Sequence, residues 1–439
     1  MSIATQHGAQ SEPDASSPAG DDVATSSDLR EGAFGNATGL ACRECGHEIA
    51  LGPHYACPEC FGPLEIAYAF PQVTREQIEA GPRNIWRYKA LLPVPDDIEQ
   101  SPNMEPGFTR LLKAHNLGAA LGIDNLWVKD DSTNPTNSFK DRVVACALSA
   151  AVEFHSKVFA CPSTGNLANA VAAAGARAGI RTVVFIPSNL EKPKQVNSAV
   201  YTDSLVAVNG NYDDVNRLAS EIAGEEEGWA FVNVNVRPFY AEGSKTLGYE
   251  IAEQLGWRLP DQIVIPVASG SQLTKVHKAF QELITLGLVE DKPYRVFGAQ
   301  ATGCSPVSVA YKAGVDAIRP VKPDTIAKSL AIGNPADGIY VLDICRQTGG
   351  AVEDVTDEEV REGILLLARN EGIFTETAGG TTVAVLRKLV ETGQLDTTLD
   401  TVVINTGMGL KTLDAVSDRV GAAATIEPSY AAFTGSGVV

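Results

Sequence analysis

The sequence predicts an α/β protein built on mostly parallel sheets. From residue 125 onward, short segments that are apolar along their whole length alternate with longer stretches of helical periodicity. Strands of this kind are buried on both faces, and their alternation with helices implies parallel pairing through crossover connections. The predicted strands are 125–129, 158–161, 182–186, 205–208, 230–232, 263–267, 296–298 and 402–404. The predicted helices are 143–154, 166–178, 192–200, 212–223, 243–255, 273–286 and 357–371.

Composition and charge argue against a nucleic-acid or membrane protein. The chain has 439 residues, of which 44% are hydrophobic and 20% charged, which is enough for about two or three domains. Its net charge of −19 disfavours binding to a phosphate backbone. No apolar run approaches the roughly 18 residues that span a bilayer, and the amino terminus lacks an apolar signal segment. We therefore expect a cytoplasmic protein without a membrane partner, whose cysteines are reduced unless they bind metal.

The chain before residue 125 divides into three segments. Residues 1–38 are rich in Ser, Ala, Gly and Asp and have almost no large apolar side chains, so we expect a disordered tail. A cysteine-bearing segment follows at 39–66. Residues 67–107 are rich in proline and predicted to be irregular, with one helical patch at 85–92.

Two Cys-x-x-Cys pairs predict a zinc ribbon. Cys42 and Cys45 form the first pair, Cys57 and Cys60 the second, and eleven residues separate the pairs. Gly46 and Gly62 follow the pairs and permit tight turns. Two such pairs in a cytoplasmic chain are typical of structural zinc held by four thiolates, a closed site that does not catalyse. Redox pairs or reduced, empty thiols are the alternatives.

The segment NPTNSFKDR, residues 134–142, carries the most informative lysine. Lys140 follows a run of turn-forming residues and precedes an apolar helix. A lysine at the start of a buried helix must pair its charge or lose it, and a desolvated lysine is a nucleophile. Its usual use is a covalent bond to a carbonyl such as that of pyridoxal phosphate. The alternative is that Lys140 pairs with Asp141 or caps a nearby group.

Three further turns follow predicted strands, where ligands of parallel sheets bind. A glycine- and serine-rich turn that opens a helix is suited to an anion because its amides are free. The turn Ala268-Ser269-Gly270-Ser271-Gln272 suits a cofactor phosphate. The turn Ser163-Thr164-Gly165-Asn166 suits a substrate carboxylate and a phenolic oxygen, and Thr406 in TGMGLK suits a ring nitrogen. The alternative for each is a helix cap or a local turn. A site for pyridoxal phosphate needs these three features and a lysine.

The four motifs in this order resemble the fold-type II pyridoxal-phosphate enzymes, the tryptophan synthase β group. The chain resembles the threonine synthases more closely, through LWVKDDSTNPTNSFKDR, residues 325–338 and ETAGGTTVA at 376–384. The resemblance covers about residues 107–416 and includes the cysteine segment, which some threonine synthases share. It implies two open, twisted, mostly parallel sheets flanked by helices, with a small amino-terminal zinc ribbon.

The resemblance implies a role for each residue of the four motifs. Lys140 would hold the cofactor aldehyde and carry protons. Asn166 would contact the ring oxygen, Thr406 the ring nitrogen, and residues 268–272 the cofactor phosphate. Ser163 and Thr164 would contact the substrate.

Three departures from the family pattern concern the same site. Met408 stands where the family has His, and Asn137 where it has Gly. In the run RPFYAEGSKT, Tyr240 stands where the family carries an arginine for the substrate phosphate. Arg237, three residues earlier, is the candidate to supply the guanidinium instead.

The sequence thus predicts a threonine synthase-like enzyme that converts O-phospho-L-homoserine and water to L-threonine and phosphate. We expect a large domain from 67–139 and 246–425, a small domain at 140–245, a carboxy-terminal tail at 426–439, and a homodimer. One alternative is a related lyase for another phosphorylated amino acid, such as cysteate synthase. The other is a catalytically inactive protein of the same fold whose ribbon binds a partner.

Overall fold

The strands of the protein form three separate sheets. The computed structural model describes residues 29–210 and 212–438. The strands are β1 (Ala37–Cys42), β2 (Glu48–Ile49), β3 (Leu64–Tyr68), β4 (Arg110–Lys113), β5 (Leu126–Asp130), β6 (Val158–Pro162), β7 (Arg181–Pro187), β8 (Leu205–Val208), β9 (Trp229–Phe231), β10 (Gln262–Pro266), β11 (Arg295–Ala301), β12 (Ala351–Val355) and β13 (Thr401–Asn405).

Helices connect most of these strands. They are α1 (Arg75–Glu79), α2 (His115–Leu121), α3 (Lys140–Glu153), α4 (Asn166–Ala178), α5 (Lys192–Ala199), α6 (Tyr212–Glu225), α7 (Arg237–Glu242), α8 (Lys245–Gln254), α9 (Ser271–Thr285), α10 (Pro306–Ala313), α11 (Gly338–Gln347), α12 (Asp357–Glu371), α13 (Thr377–Glu391) and α14 (Tyr430–Thr434), with short 3₁₀ turns between them. Within the described residues, none of the helices combines the length and the apolar character that crossing a membrane requires.

One sheet is entirely parallel and a second is parallel except at one edge strand, which confirms the predicted fold class. The larger has the strand order β12-β11-β10-β13-β5-β4, and the smaller has the order β8-β7-β6-β9. Central strands are buried on both faces, as their apolar sequences predict. In β10, Ile263 and Ile265 pack into one core cluster, whereas Val264 packs into the cluster on the opposite face. All strands of the smaller sheet lie between residues 158 and 231.

The edge strands differ most from the sequence-based expectation. Strand β8 has half-buried and exposed positions, and Val206 is 39% exposed, because only one side of an edge strand has a neighbour. Strands β4 and β12 were not predicted. Strand β4 pairs antiparallel with β5, and its short RLLK sequence lacks both alternation and a long apolar run.

The third sheet belongs to the cysteine segment. The ordered part of the chain begins ahead of this sheet, earlier than predicted. Strand β1 pairs antiparallel with β2 and β3. Ahead of it, Phe34 is 3% exposed and its ring lies 5.0 Å from those of Phe154 and Phe239. The prediction of a disordered tail is therefore wrong for residues 29–38, because a single phenylalanine anchors them to the core. Residues 1–28 of that predicted tail lie outside the described residues.

The predicted helix at 243–255 corresponds to α8, and the short helix α7 directly before it was not predicted. Helix α7 ends at Glu242 and α8 begins at Lys245. A Cβ atom on Gly243 would lie 2.5 Å from the carbonyl oxygen of Arg142 and 2.7 Å from the Cα atom of Val143. The backbone between α7 and α8 therefore touches the first turn of α3 directly, which only glycine permits.

A fully buried ion cluster ties α3 to the larger sheet. The guanidinium of Arg142 donates to Asp131 at 2.7 and 2.8 Å and to Glu250 at 2.8 Å. Lys129 donates to the same Glu250 at 2.7 Å. All four side chains are 0% exposed, and their formal charges cancel. Burial raises the pKa of Glu250, but the charges of Arg142 and Lys129 outweigh it and lower this pKa to about 2, so Glu250 is ionised at neutral pH.

We expect Arg142→Ala to lower the free energy of unfolding by about 3–5 kcal/mol, because it leaves two buried carboxylates with one cation. Arg217→Ala is the matched control. Arg217 pairs with Glu221 on the surface of α6 and is 65% exposed, so its loss should cost less than about 1 kcal/mol. Urea unfolding curves of the three proteins check this, and equal losses for the two variants would contradict it.

Candidate active site

Lys140 is the first residue of α3 and lies at the carboxyl edge of the larger sheet. It follows β5 through the turn 134–139, in which Asn137 has a φ of 61°. Few residues other than Gly adopt this conformation, and Asn is among the most tolerant. The departure from the family's Gly at this position is thereby explained.

The amine of Lys140 contacts a tyrosine and not its neighbouring aspartate. Its Nζ atom donates to the phenol oxygen of Tyr240 at 2.9 Å. Asp141 instead accepts from the backbone N–H and the hydroxyl of Thr136, both at 2.7 Å. The alternative in which Lys140 pairs with Asp141 is therefore wrong.

Backbone hydrogen bonds join the lysine turn to the turn that contains Thr406. The N–H of Phe139 donates to the carbonyl of Thr406 at 2.8 Å, and the N–H of Met408 donates to the carbonyl of Asn137 at 3.1 Å. Ser138 also pairs with Gly407 as an antiparallel bridge. These contacts follow from topology, because β5 and β13 are neighbouring parallel strands and end at the same edge. Met408 thus contributes through its backbone, which any residue type supplies.

Glu376 links two of the predicted cofactor contacts. Its carboxylate accepts from the amide nitrogen of Asn166 and from the hydroxyl of Thr406, each at 2.7 Å. Glu376 is 3% exposed and precedes α13. A Cβ on Gly407 would lie 2.8 Å from the Glu376 carboxyl, so the glycine makes room for it. Asn166 begins α4 beyond the smaller sheet, so Glu376 bridges the turns of the two sheets.

A second charged group lies near Glu376. The Nζ atom of Lys411 is buried without a hydrogen-bond partner among the described residues. Burial lowers the pKa of Lys411, while the carboxylates of Glu376 and Asp141 oppose that shift.

The turn 268–272 has the form of an anion site. It follows β10, which neighbours β13, and opens α9 with Gly270 at a φ of 102°. A Cβ on Gly270 would lie 2.8 Å from Val341 and 3.0 Å from Asp337. The side-chain nitrogen of Gln272 and the hydroxyl of Ser138 are buried with no protein partner among the described residues. Free amides at a helix start together with two unengaged donors fit a phosphate and a ring with oxygen acceptors.

Arg237 lies beside this turn, held by an aspartate. Its guanidinium pairs with Asp337 at 2.8 Å, and its side chain is 26% exposed. The N–H of Asp337 donates to the carbonyl of Ser269 at 2.8 Å. Arg43, from the cysteine segment, lies 3.7 Å from the same Asp337 and 3.4 Å from the ring centroid of Tyr340. Residues between two cysteines thus reach the flank of the candidate phosphate turn.

The turn after β6 carries the remaining predicted residues. Ser163 is 8% exposed, and its N–H donates to the carbonyl of Phe185 at 3.1 Å. Thr164 is half-buried. Both residues lie in the same turn as Asn166, whose amide reaches Glu376 across from the smaller sheet.

The four predicted zinc ligands converge. The sulfur atoms of Cys42, Cys45, Cys57 and Cys60 all lie within 4.8 Å of one another. A hydrogen bond from the backbone of Cys45 lowers the pKa of Cys42 to about 6, which favours the thiolate that metals bind. Gly46 has the expected positive φ of 73°, whereas at the second pair the positive φ of 59° belongs to Phe61. Gly62 instead makes space, because a Cβ there would lie 2.9 Å from the Cys42 sulfur.

Comparison with known proteins agrees with this geometry. The family described as pyridoxal-phosphate dependent enzyme matches residues 103–407. The chain is 37% identical over 385 residues to the threonine synthase of Methanosarcina acetivorans, a match that covers 86% of this chain and 93% of that protein. It is 36% identical over 380 residues to the threonine synthase of Methanocaldococcus jannaschii, covering 85% and 93%. The chain belongs to the pyridoxal-phosphate dependent enzymes and, within them, to the threonine synthase family.

Solved structures share the fold. The processed form of threonine deaminase isoform 2 from Solanum lycopersicum aligns with a TM-score of 0.60 at 19% identity, covering 81% of this chain and 99% of that one. Maize serine racemase aligns with a TM-score of 0.58 at 21% identity, covering 71% and 90%. At these identities the likeness concerns the fold alone.

Sequence reasoning missed Glu376 and Asp337 as site residues. Glu376 begins the ETAGGTTVA segment, so its position beside a motif was the available signal. Asp337 lies in the segment 325–338 that carries the family resemblance, but nothing in that segment marked this carboxylate as a site residue, because its role arises from contacts with Arg43 and Arg237 that are distant in sequence.

We expect Gly270→Ala to weaken binding of pyridoxal phosphate about tenfold or more, because the added methyl group would push the turn away from Val341 and Asp337. Gly287→Ala is the matched control. Gly287 also has a positive φ, of 68°, but a Cβ there would meet nothing within 4 Å. Absorbance titration of the cofactor-free variants measures both affinities. Equal affinities for the two variants would contradict the proposed role of this turn in binding the cofactor phosphate.

Proposed function

We propose that this chain converts O-phospho-L-homoserine and water to L-threonine and phosphate, as a carbon–oxygen lyase acting on phosphates. The observation that carries the proposal is the convergence of Lys140, Thr406 and the turn 268–272 at the ends of three adjacent strands, β5, β13 and β10. Its support from comparison is the identity of 36–37% with threonine synthases over most of both chains.

In this proposal the cofactor is held by one group from each turn. Lys140 would bind its aldehyde carbon, the amides of 268–272 would bind its phosphate, and Asn166 would donate to its ring oxygen. Pyridoxal phosphate, when bound, supplies an electron sink for the negative charge that develops on substrate carbon. Asn166 has two amide hydrogens, so one remains available while the other goes to Glu376.

Thr406 has a single hydroxyl hydrogen, and it goes to Glu376. We propose that this hydrogen turns to the ring nitrogen when the cofactor is bound. Glu376 then keeps Asn166 as its donor, and a neutral hydroxyl donor leaves the ring nitrogen unprotonated, which suits elimination and replacement of substituents.

The substrate is proposed to lie between the turns of the two sheets. The hydroxyls of Ser163 and Thr164 would bind its carboxylate end, and Arg237 its phosphate. A guanidinium binds a phosphate through two parallel hydrogen bonds, and it is the more necessary in a chain with a net charge of −19. Asp337 holds Arg237 beside the cofactor phosphate turn, so the two phosphates would bind on the same side of the site.

Lys140 is proposed to move the protons. Its free amine would remove a proton from the substrate α carbon, release it to water and then remove a proton from the β carbon. Phosphate would leave from the γ carbon with the electrons of the C–O bond, water would add its hydroxyl to the β carbon and give its other proton to phosphate, and the γ and α carbons would each regain one proton. The side chain has four methylene groups, which allow one amine to reach both carbons in turn.

We expect the purified protein to release threonine and phosphate in equal amounts from O-phospho-L-homoserine. Lys140→Ala should lose activity by about 10²–10⁴-fold, because no other base replaces the amine. The exposed Lys322→Ala is the control and should keep full activity. Amino-acid analysis and a phosphate assay measure the products. Formation of cysteate from phosphoserine and sulfite, without threonine from phosphohomoserine, would contradict the proposal.

We also propose that the four cysteines bind structural Zn²⁺. Four thiolates fill a tetrahedral coordination sphere, so this metal would stabilise the ribbon and take no part in the reaction. We also propose that the protein is cytoplasmic and forms a homodimer, as predicted from the sequence.

We expect metal analysis to find about one zinc per chain. Cys60→Ser should lose most of it and unfold at a lower temperature, since ribbon folding and metal binding are linked. Cys304→Ser, a buried cysteine outside the cluster, should keep its zinc. Equal zinc contents in the two variants would refute the ligand set.

A further inference from the structure

A second ionisable side chain touches the proposed catalytic amine. The phenol oxygen of Tyr240 accepts from the Nζ atom of Lys140 at 2.9 Å, and that atom lies 5.5 Å from the Tyr240 ring centroid. Within the described part of the chain, no carboxylate forms an ion pair with Lys140. The phenol is therefore the polar group that fixes the position of this amine.

Close packing of two helices sets the distance between the two side chains. Tyr240 lies on α7, and Lys140 begins α3. The backbone at Gly243, directly after α7, touches the first turn of α3, where a Cβ would lie 2.5 Å from the carbonyl oxygen of Arg142. A shift of α7 by only the width of a methyl group would separate the phenol from the amine.

Buried charges hold the other side of α7. Glu242, its last residue, is 0% exposed and accepts from Lys275 at 2.7 Å and from the phenol of Tyr68 at 2.6 Å. Lys245 pairs with the same carboxylate at 2.7 Å. Breaking such buried pairs is costly, so α7 is fixed against both α3 and the ribbon strand β3.

A phenol suits a partner that gains and loses protons. Its oxygen accepts a hydrogen bond from an ammonium group, and its O–H donates to a neutral amine. An arginine, which the family carries at this position, has no acceptor and would repel a protonated lysine. Tyr240 can thus hold Lys140 in both protonation states.

We propose that Tyr240 is a positioning residue, whose phenol holds the Lys140 amine over the substrate carbons during both proton removals. The inference rests on the proposed function, which makes Lys140 the base. When the amine takes a proton, the electron pair of the C–H bond stays on the substrate and the nitrogen lone pair binds the proton. The resulting ammonium then donates one hydrogen to the phenol oxygen. When the ammonium gives the proton up, the phenol O–H donates to the free amine, so Tyr240 keeps its own proton throughout.

The test is Tyr240→Phe, which removes the hydroxyl and keeps the ring. We expect kcat with O-phospho-L-homoserine to fall about 10–100-fold, because a hydrogen bond to a charged group is lost. KM should change less than about threefold, since the phenol contacts the base and not the substrate. Tyr430→Phe, 82% exposed, is the control and should match the parent.

A second measurement needs neither cofactor nor turnover. Cofactor-free proteins are treated with limiting acetic anhydride, and acetylation of Lys140 is followed by mass spectrometry. We expect the amine to react about threefold or more faster in Tyr240→Phe, because the hydrogen bond that engages it is gone. The reactivity of exposed Lys322 serves as the internal reference.

The two measurements separate the possible failures. Parent-like kcat in Tyr240→Phe, or a lower kcat with unchanged acetylation of Lys140, would overturn the role of Tyr240. If the parent protein fails to convert phosphohomoserine but acetylation rises in the variant, the contact stands and the proposed substrate is wrong. If acetylation also stays unchanged, both proposals fall.

Discussion

The buried guanidinium of Arg142 is the constraint on which the active-site geometry depends. A charge removed from water must find acceptors for its donors, and Arg142 finds them on Asp131, directly after β5, and on Glu250 of α8. Lys140 is two residues before it on the same helix. The cluster therefore fixes the first turn of α3 against the larger sheet, and the proposed base Lys140 keeps its position because this buried cluster holds the helix that carries it.

Glu376 has a related effect between the two parallel sheets. It accepts hydrogen bonds from Asn166 beyond the smaller sheet and from Thr406 beyond the larger one, so a single carboxylate fixes the distance between these two turns. Donors from both units engage it, and the buried amine of Lys411 lies in its field. Charged side chains behind the proposed ligand-binding groups thus keep those groups in fixed positions.

The parts of this structure that local sequence determines were predictable. Helix Asn166–Ala178 matches its prediction because a small-residue run begins after a turn and ends before a glycine, and β10 and β13 match to within one residue at each end because their central residues are apolar. The lysine turn, the turn at Thr406 and the turn 268–272 lie at one edge because neighbouring parallel strands end together, and the four cysteine sulfurs converge as their spacing predicts. Helix α7, strand β4, and the contacts of Glu376, Asp337 and Tyr240 were not predictable. Each depends on a partner distant in sequence, and the local pattern is the same with or without that partner.

The cysteine segment does more than bring four sulfur atoms together. Arg43 and Glu44 lie between the first two sulfur donors, and they contact Asp337 and Tyr340, while Glu65 on β3 pairs with Lys275 of α9. Cysteine spacing alone therefore does not define an interchangeable part. A ribbon transplanted from another protein with the same four cysteines would restore the coordination sphere but leave Asp337 without one of its two arginines, so chimaeras of this enzyme must exchange the knuckle and its docking face together.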